Sequence, residues 1–546
     1  MIRGGPPGCP HPLAALTAVL LVLAGCAAGA PPDAGGADPG RRPALVVLLI
    51  VDQMRPDLLD HYDPLFTGGL RRIRDRGLHH TQATHEHANT ETAVGHATLS
   101  TGVHPTRHGV VANSWYEEVS EGEWREVYGV EDTLTAIVGY PGLPGRSPRL
   151  MYRDGLADWL VSHSPTSRVV SLSGKDRGAI PMGGRGAGAT RPEVYWLLVE
   201  EGQFVTSTWY REAYPEWVSR FNRERMPELF GDTVWESSIP DRARAYLRRG
   251  DAFPLEGDGV HTIFPHRSSH RTGSEPERVR QNLWRERTPA PDRATLEFAR
   301  EAITALELGQ REVVDLLAVS LSAFDWVGHN FGPWSHEQLD NLLRLDRELG
   351  LFFDHLDRSV GADRWLLGFT SDHGILEIPE TMEMLGLGLG RRTERAVERE
   401  VARRVDEIIE ADGSREEIAT RAASLLESVD WIAAAMPLHT LEAGIPSDSF
   451  GDLYRNSFSR SRVDGPYHAA GVITRRTPAT ITDRPRGTTH LSGYIYDRWV
   501  PLTLMGPGIA PGASDRRVAT VDLAPTLATR AGIRVPADLD GTSLLD

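Results

Sequence analysis

The stretch Ala44-Leu-Val-Val-Leu-Leu-Ile-Val51 is a continuous apolar run that ends directly in Asp52. A short apolar run without alternation is the pattern of a strand buried on both faces, as in the middle of a parallel sheet. Similar runs recur at 168–172 (RVVSL), 314–322 (VDLLAVSLS), 365–370 (WLLGFT) and 499–505 (WVPLTLM). Helical patterns separate several of them. In the clearest, 335–357, Ser335 is placed to cap the N-terminus, and Leu339, Leu342, Leu343, Leu349, Phe353 and Leu356 form one stripe. Strands spaced by helices predict an α/β domain with a central, mainly parallel sheet flanked by helices. No fixed-period repeat is present. Two stretches break the rhythm. Residues 190–310 are rich in Trp, Tyr, Arg and Glu, and 265–290 reads as surface loops. Residues 385–470 carry a charged helical segment, 391–428, and then loop-like sequence. Both are expected to be insertions capping the sheet within one catalytic domain, 44–546.

In open α/β sheets the ligand site lies beyond the carboxyl ends of the strands. Asp52 follows the first run, Asp325-Trp-Val-Gly-His329 follows 314–322, Ser371-Asp372-His373-Gly374 follows 365–370, and Gly487-Thr-Thr-His490 precedes the last. Three carboxylates and three imidazoles are thereby predicted to converge. Mixed Asp/His sets suit zinc or a similar divalent ion, because imidazole nitrogen favours borderline-soft metals. Asp325 and His329 are one helical turn apart and can face a single ion; Asp372 and His373 can share one ion or straddle two. Each element alone is commonplace, since a lone Asp at a strand end usually caps a helix. Their joint occurrence after separate strands is the signal. The segment 86–109, Glu-His-Ala-Asn-Thr-Glu-Thr92-Ala-Val-Gly-His96-Ala-Thr-Leu-Ser-Thr-Gly-Val-His-Pro-Thr-Arg-His-Gly109, places hydroxyls ahead of a helix-like stretch. Thr92 is the candidate nucleophile, a hydroxyl at a helix N-terminus next to metal; the alternative is that Thr90 or Thr92 only caps the helix. Histidines 79, 80, 85, 87, 104 and 108 read as surface positions or as supports behind the ligands.

Composition narrows the class. The chain has 546 residues, a formal net charge of −16 and 40% hydrophobic residues, so a nucleic-acid polymer is not an expected partner and a large core can form. It contains 58 arginines and a single lysine, Lys175. Its two cysteines, Cys9 and Cys26, both precede residue 27. Arg3 followed by the apolar run Leu13–Gly25 reads as a secretory signal, too short to span a bilayer comfortably. Leu23-Ala24-Gly25-Cys26 resembles the lipobox of bacterial lipoproteins, with conventional cleavage among small residues as the alternative. The expectation is a signal peptide at 1–25, then a lipidated Cys26 with a flexible Ala/Gly/Pro-rich tether at 26–43. The product would be exported, periplasmic or anchored to the outer membrane, with no second membrane crossing.

Thr92-Ala-Val-Gly-His-Ala-Thr-Leu-Ser-Thr-Gly and Pro105-Thr-Arg-His-Gly-Val resemble the nucleophile region of the alkaline phosphatase superfamily. Val521-Asp-Leu-Ala-Pro-Thr-Leu-Ala and Asp540-Gly-Thr-Ser-Leu resemble its C-terminal signature. The resemblance implies an alkaline-phosphatase-like sandwich and two Zn2+. One ion would take Asp325, His329 and His490; the other Asp52, Asp372, His373 and the Thr92 oxygen. Asn113 matches a family asparagine that binds a phosphate oxygen, with Ser114 at a second family position. Ser173-Gly-Lys175-Asp-Arg177 resembles the Lys-x-Arg element of the monomeric, threonine-nucleophile, PafA-like branch. The implied function is hydrolysis of small phosphate monoesters through a phosphothreonine. The cationic pair would favour a dianionic monoester over a monoanionic diester. The rivals are a phosphodiesterase or nucleotide pyrophosphatase of the same superfamily, and a catalytically silent anchored binding protein. A sulfatase is disfavoured because Thr92 lacks a Cys/Ser-x-Pro-x-Arg context.

Overall fold

Strand β1 (Leu45–Val51) is buried along its whole length and sits inside a nine-stranded sheet. The other strands are β2 (Leu78–Thr84), β3 (Val169–Ser173), β4 (Glu193–Leu198), β5 (Gln203–Val205), β6 (Asp315–Leu321), β7 (Trp365–Thr370), β8 (Leu502–Met505) and β9 (Gly512–Ala519). Their order is β9-β2-β8-β7-β1-β6-β3-β4-β5. Only β5 and β8 run against the rest, so the sheet is mainly parallel, as its apolar runs predict. This computed structural model describes residues 42–545 except 121, 187–190, 258, 271–273, 393–394, 460 and 483. The expected signal peptide, Cys26 and nearly all of the tether lie outside the described residues. Among those described, no helix is long and apolar enough to cross a membrane.

Side-chain alternation along β1 builds both cores. Leu45, Val47, Leu49 and Val51 join one apolar cluster, and Val46, Leu48 and Ile50 join another on the opposite face. Five helices cover the sheet or frame its carboxyl edge: α1 (Thr92–Thr101), α2 (Asp176–Gly183), α3 (Ala323–Phe331), α4 (His336–Ser359) and α5 (Leu523–Ala531). α4 covers the first face with Leu339, Leu342, Leu349, Phe353 and Leu356, with Leu343 half-buried at its margin. Its cap is Ser335, whose Oγ accepts from Gln338 N at 3.0 Å. α5 covers the second face with Leu523 and Leu527. Each such side chain contributes roughly 1.5–3 kcal/mol when fully buried.

Register brings the chemistry to one edge. Val51 pairs with Leu321, Ile50 with Thr370, and Ser320 with Ser173. The chain therefore leaves β1, β3, β6 and β7 at nearly the same level. Asp52, Lys175, Asp325 and Asp372 all lie just past that line.

The irregular stretches hold more structure than their sequence suggests. A helix at Glu277–Glu286 replaces the surface loops expected across 265–290. Its apolar content is small because it contributes little more than Trp284, which packs on Trp235, Val327 and Phe331. The charged stretch forms two helices, Arg395–Glu410 and Arg415–Leu426. The second starts at Ser414, which shares a reciprocal capping box with Glu417. Beyond them the sequence is not all loop: Ile432–Pro437 pairs antiparallel with Val472–Arg476, and Ser449–Ser457 is helical. These elements carry their own apolar cluster, including Val401, Val405, Ala422, Leu426 and Val472.

Candidate active site

Four chain segments meet at the carboxyl edge of the sheet. Asp52 leaves β1, Asp325 and His329 sit on successive turns of α3, Asp372 and His373 leave β7, and His490 arrives on the loop before β8. Asp325 Oδ1 lies 3.1 Å from His329 Nε2 and 3.7 Å from His490 Nε2. The two imidazole Nε2 atoms are 3.2 Å apart. His373 Nε2 lies 3.5 Å from both Asp52 Oδ1 and Asp372 Oδ2. Two sets of ligand atoms are compact enough for an ion: Asp325, His329 and His490, and Asp52, Asp325 and His373. The second set includes Asp325, where the resemblance implies Asp372. Asp325 lies between the two groups, with Oδ1 facing the imidazoles and Oδ2 facing Lys175. Asp372 borders the second set through His373.

Thr92 opens α1, whose first residues follow an extended Glu91. Its Oγ1 is 3.3 Å from Lys175 Nζ. That ammonium also donates to Asp52 Oδ2 and Asp325 Oδ2, each at 2.6 Å. Asn113 lies across the helix start and accepts from Ala93 N through Oδ1 at 3.0 Å, which leaves Nδ2 as its side-chain donor. Arg177 stands further out, 27% exposed, with Nη1 3.4 Å from Tyr128 OH. Tyr128 OH in turn donates to Asp176 Oδ1 at 2.6 Å.

The electrostatics call for cations. Asp52, Asp325 and Asp372 are at most 2% exposed, and among the described residues the only fixed positive charge within hydrogen-bond reach of them is one ammonium. Burial, then the charge of Asp372, pushes the Asp52 carboxyl up against the pull of Lys175. Burial acts the same way on Asp325 and Asp372, but His329 and Lys175 beside the first, and His373 and His96 beside the second, hold both below the usual range. For Lys175, burial is outweighed by Asp325 and Asp52, which hold its ammonium above its ordinary value. Burial depresses His373 and His490, which favours the neutral ring, the form that ligates a metal. Their Nδ1 atoms are engaged by backbone carbonyls: His373 with Gly374 O at 3.0 Å and His490 with Thr90 O; His329 does the same with Thr488 O at 2.9 Å. That leaves each Nε2 turned inward. Among the described residues, Asp52 Oδ1 and His373 Nε2 are buried polar atoms with no hydrogen-bond partner. Unpartnered ligand atoms beside inward-facing imidazole Nε2 atoms are a donor set that suits a divalent ion.

Several contributors escape sequence reasoning. Gln53 follows Asp52 with a left-handed φ of 69°. Its amide donates to Asp325 Oδ1, and its backbone N–H reaches Asp372 Oδ1 at 3.2 Å. Gly328 makes room for it, since a Cβ there would stand 1.9 Å from Gln53 Oε1. His96, one turn along α1, has Nδ1 3.2 Å from Asp372 Oδ2 and Nε2 2.8 Å from Ser320 Oγ. Its only sequence signal is the spacing Thr92-x-x-x-His96. Among the remaining histidines, His85, His87 and His108 are fully buried, not at the surface. His85 Nε2 lies 3.1 Å from Ser371 O, behind the Asp372 loop.

Comparison with known proteins places this geometry. The family model described as type I phosphodiesterase / nucleotide pyrophosphatase matches residues 46–170 and 188–424. Alkaline phosphatase PhoV of Synechococcus elongatus is 31% identical over 533 residues, covering 92% of this chain and 93% of PhoV. Alkaline phosphatase PafA of Elizabethkingia meningoseptica is 29% identical over 532 residues, covering 92% of this chain and 94% of PafA. The crystal structure of wild-type alkaline phosphatase PafA superposes with a TM-score of 0.81 at 26% identity, covering 92% of this chain and 98% of that one. The chain belongs to the alkaline phosphatase superfamily, among the PafA- and PhoV-type bacterial alkaline phosphatases.

Proposed function

We propose that this protein is an exported, lipid-anchored alkaline phosphatase that hydrolyses small phosphate monoesters through a phosphothreonine at Thr92, with two zinc ions. The observation that carries the reading is the Thr92 hydroxyl at the start of α1, 3.3 Å from the Lys175 ammonium and beside three buried carboxylates. Asp325, His329 and His490 would hold one ion, and Asp52, Asp372, His373 and the Thr92 oxygen the other, with Asp325 near enough to serve both. When bound, the ions supply Lewis-acid charge to the leaving oxygen and lower the pKa of the threonine hydroxyl and of water.

The chain's own residues carry the rest. Thr92 Oγ1 gives up its proton to solvent and attacks phosphorus in line. The P–O bond to the leaving group breaks as P–Oγ1 forms, and the leaving oxygen takes a proton from solvent and departs as the alcohol. The partial positive charge at the N-terminus of α1 faces the incoming phosphate. Lys175 Nζ, already within reach of Thr92 Oγ1, meets a phosphoryl group attached there. Asn113 Nδ2 and the Arg177 guanidinium approach the remaining equatorial oxygens, the arginine as a fork and the lysine as a point charge. Water then attacks phosphorus, the P–Oγ1 bond breaks, inorganic phosphate leaves, and the proton given up by the water returns Thr92 to its hydroxyl form. Two divalent ions with this cationic pair leave the site net positive, which favours a dianionic monoester.

The family model supports one second reading, a phosphodiesterase using the same nucleophile. One assay separates them: purified, zinc-loaded protein on p-nitrophenyl phosphate and on its bis-ester. The monoester should be strongly preferred, and Thr92→Ala should abolish turnover and the acid-trapped phosphothreonine. Monoesterase activity that survives Thr92→Ala refutes the mechanism, and preference for the bis-ester refutes the substrate class. The anchor is tested separately: Cys26→Ala should release the enzyme from the membrane fraction.

A further inference from the structure

Thr90 is fully buried, two residues before Thr92, and binds the His490 loop through both its hydroxyl and its carbonyl. Its Oγ1 accepts from Leu491 N at 3.2 Å and from Ser492 N at 3.1 Å. The same hydroxyl lies 3.1 Å from Ser492 O and donates to it. Its carbonyl oxygen accepts from His490 Nδ1. The residue between, Leu491, holds a left-handed φ of 92°, a conformation a bulky side chain rarely adopts. It persists only where the surroundings fix both flanks of the turn.

We propose that Thr90 is a positioning residue that sets the tautomer and orientation of His490 toward the metal site. The carbonyl bond requires the proton on Nδ1, so the lone pair is on Nε2, the atom facing His329 Nε2 and Asp325 Oδ1. The hydroxyl clamps the two residues after His490, so the imidazole cannot swing away without breaking three backbone contacts. Because Thr90 and Thr92 share one short segment, the same clamp fixes the distance between nucleophile and imidazole. The loop has a second tie: Ser492 N donates to Asp497 Oδ2 at 3.0 Å, and Gly374 N donates to Asp497 O at 2.7 Å. That tie holds the loop to the His373 turn but does not touch His490. The assignment rests on the proposed role of His490 as a ligand.

The test uses the full chain with Thr90→Val, which replaces hydroxyl by methyl at nearly constant volume, and Thr90→Ser, which keeps the hydroxyl. Zinc affinity is read by chelator competition, alongside kcat and KM for p-nitrophenyl phosphate and thermal midpoint. Thr90→Val should weaken zinc binding about tenfold or more and lower kcat at least as much, with KM little changed. Thr90→Ser should stay close to wild type. In the wild-type protein, ring-nitrogen NMR should report His490 as the Nδ1-protonated tautomer, whether or not the valine variant folds. Unchanged zinc affinity and kcat in Thr90→Val, equal damage in Thr90→Ser, or an Nε2-protonated His490 each overturns the proposal. Absence of turnover in the wild type would fault the functional reading instead, while the zinc comparison and the tautomer still judge Thr90.

Discussion

Gly95 lies in α1 one turn from the proposed nucleophile, and the helix backbone there presses on the Asp372 turn. A Cβ at this position would stand 2.2 Å from Asp372 O, 2.7 Å from its Cβ and 2.8 Å from its carbonyl carbon. Ordinary carbon contacts lie at about 3.5 Å or more, so α1 and the Asp372 turn must separate by about 1 Å to admit a methyl group. Propensity alone predicts the opposite, because Gly→Ala in a helix interior is worth about 0.8–1 kcal/mol of stabilisation. Packing should win, since all three of these atoms belong to one buried turn that bears a carboxylate. A displacement of about 1 Å at a catalytic constellation costs on the order of 10²-fold in rate, about 2.7 kcal/mol of barrier. Gly95→Ala should therefore lose about that factor in kcat/KM on p-nitrophenyl phosphate and show no gain in Tm. Gly142, where a Cβ would meet nothing within 4 Å, supplies the control, and Gly142→Ala should be silent. Full activity with a raised Tm in Gly95→Ala would refute the reasoning.

Other expectations are checked as directly. Lys175→Ala should lower monoester turnover about tenfold or more while sparing the bis-ester, so the ratio of the two rates falls; an unchanged ratio removes the lysine from substrate selection. Chelation of bound metal should lower the melting temperature by several degrees, because three buried carboxylates then face one ammonium; an unchanged midpoint by calorimetry contradicts this. Burial, then the charge of Glu337, pushes the Glu256 carboxyl up to about 9, and burial pushes Glu337 up to about 8. Above the ordinary carboxylate range the folded chain thus holds protons that the unfolded chain releases, and stability falls as pH rises from about 4.5 toward 9. Glu256→Gln, which keeps an acceptor for Arg249, should raise the midpoint at about pH 9 by about 2 °C or more and leave it nearly unchanged at about pH 4, below the unfolded carboxyl's pKa; equal shifts at both pH values would contradict the assignment.

Legibility in the sequence depends on whether the deciding contacts are local. β1, β3, β6 and β7 are legible because strands buried on both faces must be apolar throughout. β8 is shorter than its apolar run, 499–505, and starts at Leu502 after Pro501, which has no N–H for a ladder. β2 (LHHTQAT) and β9 (GASDRRVA) are illegible, since strands near the edge are half-exposed and carry polar residues. The ligand candidates stand out because each directly follows a strand or turn with its own spacing. Gln53, Thr90 and His96 do not, because their contacts run to Asp325, His490 and Asp372 in distant parts of the chain. A buried polar residue in one segment looks like a surface residue until its partner is folded against it. The same reason hides the burial of His85, His87 and His108. The lone lysine is a case of partial legibility: its place near the site follows from β3, whereas its grip on Asp52 and Asp325 is visible only in three dimensions.

The bond between Thr90 and His490 joins residues 400 positions apart. On a ribosome, the nucleophile segment is made early and its partner imidazole long afterwards. Until the loop before β8 has emerged, Asp325 and His329 would lack His490, the third member of their candidate metal group, and the reversed strand that comes after it cannot slot between β7 and β2. On the proposed ligand set, a nascent chain that stops short of this loop would present an incomplete site to phosphate esters. The order of residues along the chain would then work as a timer, with catalysis starting only once both halves of the proposed site have been synthesised.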